Sequence, residues 1–167
     1  MKKLFAVLSV AISLSGSLAS AQSTYQAVLS GAGENPTNNS LAIGFGTVVL
    51  NAAQNQITVD LNFSGLSAPA TASHIHGPGG LGTNAAVLFP FSGVPAATSG
   101  AIPQQTFAIN ATQVSYLQNG WLYMNVHDAN FPGGEIRGQL LPVPEPGTVA
   151  LLVLGLAGFA FIARRRR

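Results

Sequence analysis

The stretch Ile57-Thr58-Val59-Asp60-Leu61-Asn62-Phe63 alternates apolar and polar residues without a fault. Side chains of an extended strand point to opposite faces in turn, so Ile57, Val59, Leu61 and Phe63 share one face and seek a core. A helix would scatter the same four residues around its circumference. The surrounding composition agrees: Gly, Ala, Ser, Thr and Asn dominate residues 22–141, and long charged helix formers are almost absent. Residues 46–50 read as a partner strand joined through a hairpin loop at 51–56. Further strands are expected at 25–29, 72–76, 85–89, 100–109, 121–127 and 135–140, with Phe131-Pro132-Gly133-Gly134 as a turn. One short helix is expected after Asn110, with Gln113 at the capping-box position, Val114 and Leu117 inward, and Asn119-Gly120 as its end. The fold class is therefore all-β, an antiparallel β-sandwich or flattened barrel of about eight short strands.

The two ends of the chain obey other rules. Lys2 and Lys3 precede an apolar run at 4–14, and Ala19-Ser20-Ala21 supplies the small-x-small pattern that signal peptidase cuts, which makes 1–21 a signal peptide. Residues 147–163 carry no charge, and as a helix they would cover roughly 26 Å, close to a hydrocarbon core. Arg164 to Arg167 follow at once, so this segment is expected to be a transmembrane helix whose arginines stay in the cytoplasm. Between domain and helix, Pro142, Pro144 and Pro146 make residues 142–146 a stiff spacer. These ends hold six of the seven cations, which leaves Arg137 against Glu34, Asp60, Asp128 and Glu135 in the domain. That balance gives no electrostatic footprint for nucleic acid. The chain has no cysteine, so no disulfide supports the domain, and residues 22–141 suffice for a single core.

Three histidines are the chain's imidazoles. His74 and His76 lie two apart in Ser73-His74-Ile75-His76, on one strand face, and His127 lies opposite the face of Leu122, Met124 and Val126. Were the two strands neighbours, the three rings would converge on the sheet's outer face, with Asp128 or Glu135 as a fourth ligand to a single zinc or copper ion. The plainer reading makes them polar surface residues or hydrogen-bond partners of the adjacent turns. Catalysis has less support: no Gly-x-Ser-x-Gly or His-Glu-x-x-His occurs, and Ser73 and His74 face opposite sides. Gly77-Pro78-Gly79-Gly80 precedes no helix and reads as a turn. A glycosidase-like carboxyl pair would have to come from Asp128 and Glu135, or from Asp60 with either. For Arg137, an ion pair with Glu135 or Asp128 is preferred over a ligand-binding role. Asn38 and Asn110 stand in Asn-x-Ser/Thr sites that permit glycosylation, although Asn110 is better explained as the helix cap.

Two families resemble parts of this chain. Val143-Pro144-Glu145-Pro146, the apolar span and the arginines together resemble the PEP-CTERM sorting signal of Gram-negative bacteria. The resemblance implies anchoring at the inner membrane, removal of the tail by an exosortase-type sorting enzyme, and a mature protein on the cell surface or outside it. It also implies company with exopolysaccharide, matrix proteins and biofilm. Leu29-Ser30-Gly31-Ala32-Gly33-Glu34-Asn35-Pro36, Ala72 to Pro78, Gly120 to His127 and Pro132 to Leu140 resemble the CHRD family in order and spacing. That implies an extracellular β domain without an agreed activity, read here as a non-enzymatic binding or structural module. Asp128 stands where the family commonly has threonine, to strengthen a cation site or to alter the turn. His74-Ile75-His76 also resembles the copper strand of copper/zinc superoxide dismutases. The missing further histidines and cysteine pair leave at most a single-metal site and no dismutation.

Overall fold

Among the described residues, nine strands and one α-helix follow in the order β1 (Ser23–Ser30), β2 (Ile43–Leu50), β3 (Gln56–Ser64), β4 (Ala70–His76), β5 (Val87–Pro90), β6 (Gly100–Ala108), α1 (Ala111–Gln118), β7 (Tyr123–Asp128), β8 (Ile136–Gln139) and β9 (Leu141–Pro142), with a single 3-10 turn at Gly31–Gly33 after β1. This computed structural model describes residues 22–144 together with 154, 156, 163 and 164. The signal peptide with Ala19 and Ala21, Glu145 and Pro146 of the sorting motif, most of the 147–163 span and three of the four arginines lie outside the described residues. Among the described residues no helix is long and apolar enough to cross a membrane.

The strands form one antiparallel sheet ordered β5-β4-β7-β8-β1-β2-β3-β6, with β9 paired to β1. Of the two expected architectures, the structure comes nearer the barrel, as a sheet that is almost closed. The sheet curls until β5 and β6 approach, and side chains seal the gap. Phe107 packs on Phe89 and Phe91 with ring centroids 5.4 and 6.0 Å away. The Gln105 amide accepts from Ser92 N at 2.8 Å and donates to Ser92 O at 2.9 Å, as a neighbouring strand would. The interior is apolar: Ile57, Val59, Leu61 and Phe63 of β3 meet Leu29, Val48, Met124 and Ile136, all at 3 % exposure or less. Each such side chain contributes roughly 1.5–3 kcal/mol on burial.

Some local expectations need amendment or explanation. β2 begins three residues before the expected start and pairs with β3 through Ile43↔Ser64. β7 begins at Tyr123 rather than Trp121. β6 contains Pro103, tolerated because its pairing with β3 shifts between Val59 and Leu61, where a bulge asks for no ladder donor. Pro142 is not part of a free spacer: it pairs with Tyr25 at the end of β1 that β8 leaves uncovered.

Strand β7 is buried along its whole length. Met124 and Val126 face the apolar core, while Tyr123, Asn125 and His127 face outward yet lie under loops. Gly79 N donates to Trp121 O at 2.8 Å, which clamps the glycine turn after β4 over this polar face. Gly77 permits the approach, because a Cβ there would collide with Leu122.

Candidate metal centre

The cluster follows from register. β4 lies beside β7 with Ala72↔His127, His74↔Asn125 and His76↔Tyr123 as partners. Both β4 histidines therefore share a face with His127, which is diagonal to His74 and within an imidazole's reach. The ring centroids lie 4.9 Å apart for His74 and His127, 5.3 Å for His74 and His76, and 6.2 Å for His76 and His127. One ring nitrogen of each lies within 4.8 Å of the other two. The convergence is on the face away from the apolar core, but it is not on the surface: His76 is 8 % and His127 9 % exposed, and His74 is half-buried.

Backbone carbonyls fix which nitrogens are available. His76 Nδ1 donates to Ala85 O at 2.9 Å, and His127 Nδ1 donates to Pro132 O at 3.0 Å. A carbonyl can only accept, so in the neutral rings both protons sit on Nδ1; His127 Nε2 then keeps a lone pair, and His76 Nε2 keeps one when the Asn125 amide turns its Nδ2 rather than its Oδ1 to the ring. His127 Nε2 lies 3.1 Å from His74 Nδ1. Nitrogens bound tetrahedrally to zinc at about 2.0–2.1 Å sit about 3.3 Å apart, so this pair is already at ligand spacing. His76 Nε2 lies 3.1 Å from Asn125 Oδ1 and must leave that oxygen and close on the other two nitrogens, within 4.8 Å of it, to join them.

Burial also selects the ligating form. It holds His74 down at about 4, helped by the charges His127 and His76 would carry, and it lowers His76 and His127 as well. All three are neutral at pH 7, the state a metal needs. His76 further stacks on Tyr123 with centroids 4.9 Å apart, and Arg137 lies over the same ring with Cζ 3.4 Å from its centroid.

The expected fourth ligands are elsewhere. Asp128 follows His127, so strand alternation turns it to the other side. Its carboxylate accepts from Ser67 Oγ and Ala68 N at 2.8 Å and from Phe131 N at 2.6 Å, which makes it a turn-former rather than a ligand. Glu135 accepts from Ser40 Oγ at 2.5 Å and from Ser67 N at 3.0 Å. Burial and the neighbouring Asp128 push Glu135 up; at Asp128 burial opposes the charge, but hydrogen bonds from Glu135, Ser67, Phe131 and Ala68 outweigh it. Their mutual proximity thus moves the two acids in opposite directions, Glu135 up and Asp128 down. Glu135 is fully buried and Asp128 1 % exposed, which closes them to a glycoside substrate. Asp60 stands apart on an exposed face, accepting from Gln104.

Arg137 does not pair with Glu135 or Asp128 as expected. It is 2 % exposed and donates to Thr83 O at 2.8 Å and to Gly80 O and Asn84 Oδ1 at 3.2 Å. Ser73 Oγ donates to Asn125 O at 2.6 Å, which removes it as a nucleophile. Asn38 gives its amide nitrogen to Glu135 O, so it is tied down rather than displayed for glycosylation. Sequence reasoning missed Asn125, Tyr123, Glu34 and the carbonyls of Ala85 and Pro132. Asn125 and Tyr123 left a signal, since they alternate with His127 along a strand whose other face is apolar.

Comparison with known proteins adds two matches. The PEP-CTERM protein-sorting motif matches residues 142–167, which marks an exported protein handled by an exosortase-type enzyme. The CHRD domain model matches residues 25–140, from the first core residue of β1 to the residue after β8. No curated protein and no solved structure matches the chain. Because the domain match takes in every histidine, all three buried acids and most of the chain, the chain belongs to the CHRD domain family.

Proposed function

We propose that this CHRD domain is a non-enzymatic module of the cell surface or extracellular matrix that holds one zinc or copper ion on His74, His76 and His127. The observation that carries the reading is the convergence of three neutral imidazoles, two of them with Nδ1 committed to a carbonyl so that Nε2 faces the cluster. Carbonyl-anchored histidines of this kind orient metal ligands and raise their basicity. Three nitrogens leave a position open, and half-buried His74 gives it a way in from solvent. A water or a side chain of a matrix partner fills that position, and copper would add one-electron chemistry that zinc lacks.

The same reading sets the domain's route. Signal peptidase removes residues 1–21 after Ala21. The 147–163 span then holds the chain in the inner membrane of a Gram-negative cell until the tail after Pro144-Glu145-Pro146 is processed. The mature domain then works among exopolysaccharide and matrix proteins in a biofilm.

Elemental analysis of the protein equilibrated with zinc or copper tests the site. About one equivalent is expected for the parent and less than about a tenth for His76→Ala and for His127→Ala, since a three-ligand site does not survive the loss of one. Loading that is equally low in the parent, or equally high in both variants, would refute the assignment.

A further inference from the structure

Next to the histidine cluster, with Pro132 common to both, the 34–38 segment and the 130–134 turn enclose a cleft of about 420 Å³ with Asn84 at its side. Clefts of about 300–1,000 Å³ are typical of small-molecule sites. Glu34 lines it and is only 6 % exposed, yet its Oε1 takes no hydrogen bond from the described residues. Its Oε2 receives a single long contact, from Asn35 N at 3.4 Å. Buried polar atoms are nearly always partnered, so an orphan oxygen at the wall of a cleft points to a donor arriving from outside. Gly134 lets the 130–134 turn approach this carboxyl: its φ is +129°, and a Cβ there would strike Oε1.

The rest of the lining narrows the donor's chemistry. Asn35 and Asn130 give their amide nitrogens to Gly82 O and Ser67 Oγ, and their side-chain oxygens accept nothing from the described residues. Pro36, Phe131 and Pro132 supply apolar wall, and no lysine or arginine lines the cleft. An anion would meet Glu34 with nothing in the lining to compensate it. A cation would meet the field of Arg137, which already acts on Glu34. A neutral hydroxyl suits both, since it donates to carboxyl and amide oxygens while a ring's C–H face lies on apolar wall.

We propose that this cleft binds a neutral sugar ring, with Glu34 Oε1 accepting from one hydroxyl, Asn35 and Asn130 from others, and Phe131 packed against the ring face. The proposal rests on the matrix-facing reading for the source of the sugar, but not on the metal site.

Saturation-transfer NMR and calorimetry on the full chain, held in a detergent without a sugar headgroup and treated with EDTA, test it. The probes are glucose, galactose, mannose and cellobiose, with glucuronate and putrescine as charged controls. Saturable binding of at least one neutral probe is expected, with dissociation constants on the order of millimolar for ligands this small. Asn130→Ala and Phe131→Ala at the rim, and Glu34→Gln at the wall, should each weaken it about five- to tenfold, the effect of one lost contact. Absence of saturable binding by every neutral probe would overturn the cleft assignment while metal loading, measured separately, stands or falls alone. Equal affinity in both rim variants, or tighter binding of glucuronate or putrescine, would overturn it too. Binding that survives EDTA supports the cleft whatever the histidines hold.

Discussion

At the scale of single residues, environment decides what a charge does. Arg137 is the domain's lone cation, and from the sequence an acid is its natural partner. In the fold its side chain leaves β8 under the loop that follows β4, where three oxygens and the face of Tyr123 await a planar five-donor group. Arg137→Lys keeps the charge but loses the fork and the stack, and should cost about 2 kcal/mol in urea unfolding; Arg137→Met should cost about 3 kcal/mol. A loss below about 0.5 kcal/mol in both would mean the loop does not depend on the guanidinium. Glu34 makes a pH prediction. Burial raises its carboxyl from 4.5 to about 7, against the hydrogen bond from Asn35 and the charge of Arg137. Between those values the folded chain holds a proton that the unfolded chain has lost, so this group's contribution to stability falls as pH rises from 4.5 to 7. The buried histidines act in the opposite sense, His74 favouring the folded state as pH rises from about 4 to 6.5. Comparing the parent with Glu34→Gln isolates the acid: the parent should lose about 2 kcal/mol relative to the variant across pH 4.5 to 7. Parallel stability curves would contradict the shift.

Among elements, those set by neighbours in sequence were legible and those set by distant partners were not. The α1 cap was readable because it needs four consecutive residues. Gln113 N donates to Asn110 Oδ1 at 2.9 Å, and Asn110 N donates to Gln113 Oε1 at 3.1 Å. Val114 and Leu117 are buried as expected. Asn110→Ala should therefore destabilise the fold by about 1 kcal/mol in thermal or urea melts, with Asn110→Ser recovering most of it. Strand β9 lacked any such local sign. Pro142 reads as a spacer until an uncovered stretch of β1 lies beside it, and Val143 N then donates to Thr24 O at 2.8 Å. Strand β3 was legible for the opposite reason, since its alternation states its buried face whatever partner it finds.

For the whole molecule, the question is what closes the sheet. Strands β5 and β6 are edges, and exposed edges invite pairing with other chains. Gln105 covers part of that edge by bonding the backbone of Ser92 through both ends of its amide. Gln105→Ala should release the Ser92 amide to rapid hydrogen exchange and lower stability by about 1–2 kcal/mol, while exchange in β1, β2 and β3 stays as it was. Unchanged protection at Ser92 would show that the Phe89, Phe91 and Phe107 cluster closes the barrel unaided. Closure also bears on the metal centre, because β4 is clamped between β5 and β7 and its histidines are held only as firmly as that edge.

By itself the sequence determined the all-β class, the inward face of β3, the cap of α1, the shared face of His74 and His76, and the export address. All of these follow from periodicity, spacing or short motifs, which act over a few residues and survive any long-range arrangement. The tertiary structure alone decided that β4 lies beside β7, and so that His127 joins the other two. It also decided that loops bury this polar face, and that Asp128 and Glu135 turn to Ser67 instead of the imidazoles. Those outcomes depend on which strands become neighbours when the sheet curls and which loop settles over which face. Contacts made across fifty or more residues leave no local pattern to read.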